Sequence, residues 1–141
     1  MKKFFALLLV ISILFCSTVA FAVVPETDEP QASNYFSSYG MTLSATGSGC
    51  LNLTFSCSAV GIADQLGVAS YTVQKKNSAG EWVDVTGLLS GSIKTNTTSH
   101  SFAKTFHGVA GETYRVRCTF YCQKGTGSEH KYYTSQKKTA Y

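Results

Sequence analysis

The chain has 141 residues, 44% of them hydrophobic and 14% charged, with a formal net charge of +4. One ordinary domain is the most such a length holds, which excludes a multidomain enzyme; the composition also excludes a coiled coil, a polytopic membrane protein and a strongly polybasic nucleic-acid binder. The apolar excess is local, because 17 of the first 22 residues are apolar.

Those first residues open with Met1-Lys2-Lys3, continue as an apolar stretch from Phe4 to Phe15 broken only by Ser12, and close on Ala20-Phe21-Ala22. A short basic start, an apolar run and small residues before a cleavage point are the parts of a secretory signal peptide, with cleavage expected after Ala22. A run of about a dozen residues falls short of the ~20 that cross a bilayer, so a membrane anchor is not expected. Phe15 disfavours lipidation at Cys16, since a small residue is needed there. The expected mature protein is extracellular, with no membrane association once the signal is removed.

Residues 23–34 hold both prolines of the chain and three carboxylates, Glu26, Asp28 and Glu29, and read as an acidic linker. From Tyr35 to Tyr141 ten Lys/Arg face five Asp/Glu, so the domain itself is basic. Its dominant signal is period two, the pattern of half-buried strands. Tyr39, Met41, Leu43 and Ala45 alternate with small polar residues, and after a Thr46–Gly49 turn Leu51, Leu53, Phe55 and Cys57 do the same. The segment "GIADQLG" reads as a looser connection into a strand around Tyr71 and Val73, and "NSAG" then turns the chain into "EWVDV". A short strand is expected around Leu88 to Ile93, then a segment carrying Phe102 and Phe106. The clearest strand follows: Tyr114, Val116, Cys118, Phe120 and Cys122 share one face, while Arg115, Arg117, Thr119 and Tyr121 share the other. A Gly-rich turn, "KGTGSE", leads into the last strand. With no sustained 3.6-residue stripe, the expectation is all-β: a single antiparallel β-sandwich of about seven strands over residues 35–141.

The segment "GETYRVRCTFY" resembles the penultimate strand of fibronectin type III and immunoglobulin-like domains. In the same way "VQKKNSAGEWVDV" resembles their third-to-fourth strand hairpin, with Trp82 two residues past a turn glycine. Together with "NYFSSYGMTLSATGSG" and "KGTGSEHKYYTS", the region from Asn34 to Ser135 is similar to an uncharacterised family of small secreted single-domain proteins of Gram-positive bacteria. The resemblance implies an immunoglobulin-like fold and export, and brings no activity with it.

In a sandwich of that kind the second and sixth strands lie in opposite sheets. Export permits disulfides, so Cys57–Cys122 is the first expected bridge and Cys57–Cys118 the alternative, with Cys50 on the outward parity and without a partner. No histidine is placed beside a cysteine by the sequence, no zinc spacing occurs, and neither a nucleophile elbow nor a phosphate loop is present. The expectation is therefore no enzyme and no cofactor. The candidate ligand-binding residues are Arg115, Arg117 and Tyr121, joined from the last strand by Lys131 and Tyr133 or, in the other register, by His130 and Tyr132; Trp82 is a further candidate anchor. A basic, aromatic-bearing face suits an anionic polymer such as a cell-wall polymer, a glycan or a protein partner. The expected function is a secreted, non-enzymatic binding or interaction module, the alternative a bacteriocin-like effector or inhibitor.

Overall fold

A computed structural model describes residues 33–141, so the expected signal peptide and all but the end of the expected linker lie outside the described residues. Eight strands follow in order: β1 (Phe36–Gly47), β2 (Cys50–Lys76), β3 (Trp82–Asp84), β4 (Leu89–Ser90), β5 (Ile93–His107), β6 (Thr113–Lys124), β7 (Gly127–Thr134) and β8 (Lys138–Thr139). They form one antiparallel sheet, with 74% of the described residues in strands and no helix among them.

β2 organises the sheet. Its first half, to Ala59, lies between β1 and the later part of β5; its second half, from Ala63, has β6 on one edge and the start of β5, then β4 and β3, on the other. β7 continues the sheet beyond β6, and β8 pairs with the start of β6. Phe55 and Tyr71 show what β2 does between its halves. They are 71 − 55 = 16 positions apart, about 50 Å in an extended strand, yet their ring centroids are 5.1 Å apart. The strand therefore folds back over itself, and the sheet curls into two facing halves.

The bend has a local cause. Pairing with β5 breaks between Ser58 and Ala63, where Gly61 takes φ +78°, a conformation that L side chains rarely adopt. Val60, Gly61 and Ile62 are all exposed there. A second break, between Val68 and Ser70, shifts the inward parity from Leu66 and Val68 to Tyr71 and Val73. "GIADQLG" is thus strand, not a connection. The sequence hid it because the buried positions change parity along it, from Ala63 to Leu66 and Val68 and then to Tyr71 and Val73, which erases the period-two signal. The strand expected around Leu88 to Ile93 is only Leu89–Ser90, whereas β5 runs 15 residues from Ile93. Most residues in its first half are exposed on both faces, so no alternation marked it.

Between the halves the core is filled by Leu51, Leu53 and Phe55 from the first part of β2, Leu66, Val68 and Val73 from the second, and Tyr114, Val116 and Phe120 from β6, each 2% exposed or less. Rings join the halves: Tyr39 of β1 lies 5.5 Å from Phe120 of β6, and Phe106 of β5 lies 5.4 Å from Tyr114.

Candidate functional site

The outer face of β6 carries Arg115, Arg117, Thr119 and Tyr121, the parity opposite to the buried Tyr114, Val116, Cys118, Phe120 and Cys122. Register decides their neighbours. Lys124 pairs with Gly127 around a two-residue turn in which Gly125 has φ +57°, and this sets Arg117 against Thr134, Thr119 against Tyr132 and Tyr121 against His130. His130 and Tyr132 therefore share the face, and the rings of Tyr121 and His130 sit 4.8 Å apart. Lys131 and Tyr133 fall on the opposite side. Lys131 pairs across from Phe120 and its Nζ lies 2.9 Å from Glu129, while Tyr133 packs edge-on to Tyr39 and Phe120. Of the two registers left open by the sequence, the turn length selects the one without Lys131 and Tyr133.

On the other edge of β6, Gln74, Thr72 and Ser70 pair with Arg115, Arg117 and Thr119. The buried Gln74 organises this corner: its Nε2 donates to Asp84 Oδ1 at 2.7 Å, and its Oε1 accepts from Arg115 Nε at 2.8 Å. The Arg115 guanidinium lies 4.5 Å over the Trp82 ring, held by cation–π attraction. Trp82 and Arg115 are therefore brought together, but as a fixed assembly rather than as free anchors. Arg117, one step along the face, is exposed and enters neither of the two ion pairs found among the described residues.

Between β2, β6 and β7 lies an open groove of about 300 Å³, lined on this face by Ser70, Thr72, Thr119 and Thr134, with Arg117 and Tyr132 beside them and Asp84 and Leu88 at one wall. Tyr132 is 77% exposed. Side-chain hydroxyls donate and accept, an exposed ring offers an apolar plane, and a guanidinium binds carboxylate, phosphate or sulfate in a fork. That donor set matches a polyhydroxylated ligand carrying an anionic substituent. Of these lining residues the sequence placed Arg117 and Thr119 on the outer face outright; alternation in "SYTVQ" was the signal for Thr72, and the register was needed for Tyr132 and Thr134. Among the described residues no three His, Cys, Asp or Glu side chains gather as a metal site.

Cys50, Cys57, Cys118 and Cys122 are free thiols, so the expected bridge is not formed. Cys57, Cys118 and Cys122 are buried on the inner parity. Burial, and next the Cys122 thiol, push Cys57 up to about 11; burial pushes Cys118 up to about 12, and burial, helped by Glu129 and opposed by Lys124, raises Cys122. Cys50 differs. It is only half-buried, and its Sγ lies 3.2 Å from His107 Nδ1. This contact escaped the sequence because 57 residues separate the two positions and only the β2–β5 register makes them partners.

Comparison with protein-family models, curated proteins and solved structures finds no match to this chain. What the fold and groove define is an all-β antiparallel module with one hydroxyl-lined outer face.

Proposed function

We propose that the protein is an exported, non-enzymatic binding module whose groove over β2, β6 and β7 takes an anionic glycan. The observation that carries this reading is the groove lining: four hydroxyl side chains, Arg117 outside both ion pairs of the described residues, and the exposed ring of Tyr132. The Gln74 network supports it by engaging Arg115 with Gln74 and Trp82, which leaves Arg117 as the exposed guanidinium of the face. Export rests on the residue pattern of the first 22 positions. An immunoglobulin-like relationship is supported by two facing half-sheets and by Trp82 after the β2–β3 turn, although β2 runs through both halves. In an oxidising compartment Cys57 and Cys122 are the first pair to be bridged, with Cys57 and Cys118 the alternative, because all three point inward.

Affinity electrophoresis through gels containing an anionic wall polysaccharide or its neutral counterpart tests the reading. The anionic polymer should retard the protein, and salt should weaken the retardation. Arg117→Ala and Tyr132→Ala should each weaken binding about fivefold, ~1 kcal/mol. Equal mobility in both gels, or variants that bind like the parent, would exclude the groove as the site. Growth inhibition by the purified protein without glycan binding would favour an effector instead.

A further inference from the structure

On the outer face of the first half-sheet, well apart in sequence register from the groove, Cys50 and His107 stand directly opposite one another on β2 and β5. The Sγ–Nδ1 separation of 3.2 Å is within proton-transfer reach, and Cys50 is the one thiol among the described residues that is not buried. We propose that Cys50 and His107 form a thiol–imidazole pair that captures low-molecular-weight disulfides as mixed disulfides.

The surrounding backbone narrows the chemistry. Acyl transfer needs N–H donors aimed at a developing oxyanion, but the Gly49 N–H donates to the Tyr141 carbonyl at 2.9 Å and the Gly108 N–H to the Gly49 carbonyl at 3.0 Å. Both nearby donors are already engaged. Thiol–disulfide exchange requires no such hole, only a thiolate with access to a disulfide sulfur. In the step, His107 Nδ1 takes the proton from Cys50 Sγ. The sulfur then attacks one sulfur of R–S–S–R, the Cys50–S–S–R bond forms, the R–S–S–R bond breaks, and the departing thiolate takes up the proton as RSH. One disulfide is exchanged for another, so no further oxidant enters. The adduct persists because no resolving thiol is at hand among the described residues: Cys57, Cys118 and Cys122 lie on the inner side of the sheet.

The test treats the full chain, in a Cys16→Ser background, with oxidised glutathione and follows intact mass over time. One adduct per chain is expected, mapping to Cys50 and absent from Cys50→Ser. His107→Gln and His107→Asn should each slow its formation at least about tenfold at neutral pH. In denaturant the same His107 variants should react at the parent's rate, because the pairing is then gone. An adduct on another cysteine, undiminished rates in both His107 variants, or an equal slowing in denaturant would overturn the proposal. This inference does not rest on the glycan groove, and failure of either leaves the other standing.

Discussion

Replacing Phe55 with alanine tests the folding-back of β2 directly. Phe55 is 1% exposed, its ring stacks on Phe102 at 4.8 Å with 12° between planes, and it meets Tyr71 from the far half of the same strand at 5.1 Å. Removing a fully buried phenylalanine costs about 3–5 kcal/mol from lost transfer energy and the cavity left behind. Against a total stability of roughly 5–15 kcal/mol this is a large share, and for a domain of about a hundred residues it lowers Tm by roughly 15–25 °C. Phe102 sits on the same stack but is only half-buried, so Phe102→Ala should cost about 1–2 kcal/mol. Chemical denaturation of both variants, with a Phe55/Tyr71 double-mutant cycle, gives the numbers. The cycle should return a coupling of about 0.5–1.5 kcal/mol for the ring pair. Zero coupling, or a Phe55→Ala cost no greater than that of Phe102→Ala, would refute a strand doubled over its own aromatic side chains.

Two further outcomes follow from close contacts. A Cβ on Gly67 meets the Ser92 carbonyl oxygen at 2.1 Å and the Ile93 Cα at 2.8 Å, both backbone atoms with no rotamer to move aside. Gly67→Ala should destabilise by roughly 3 kcal/mol, whereas Gly87→Ala, with nothing within 4 Å of the added atom, should stay within about 0.5 kcal/mol of the parent; equal denaturation midpoints for the two would contradict this packing. Burial raises the Glu129 carboxyl, but hydrogen bonds from the Ser33 hydroxyl and Lys131 outweigh it and hold the group below its ordinary value of 4.5. Its contribution to stability is therefore present above that pH and lost as pH falls through the depressed folded value. Thermal midpoints recorded from pH 7 to pH 2 should show Glu129→Gln below the parent at neutral pH and converging with it in acid; a gap that holds constant with pH would contradict this.

β6 and the first half of β2 were legible from their residues, because each keeps one face in the core and alternates without interruption over eight or more positions. So was the outward set Arg115, Arg117, Thr119 and Tyr121, which follows from parity alone. The first part of β5 was not, since a strand exposed on both faces has no hydrophobic period to read. Lys131 and Tyr133 were not separable from His130 and Tyr132, because a one-residue change of register exchanges the two faces and the sequence of "KGTGSE" admits more than one turn length.

The all-β class and the sides of β6 and of the first half of β2 that meet the core were determined by the sequence itself, through composition and alternation, which are local quantities. Tertiary structure alone decided that β2 doubles back at Gly61, that Gln74 ties Arg115 to Asp84 while Arg117 stays outside the ion pairs of the described residues, and that His107 stands 3.2 Å from Cys50. Each of these depends on register between residues distant along the chain, and register is set by turns and bulges whose geometry no run of neighbouring residues encodes.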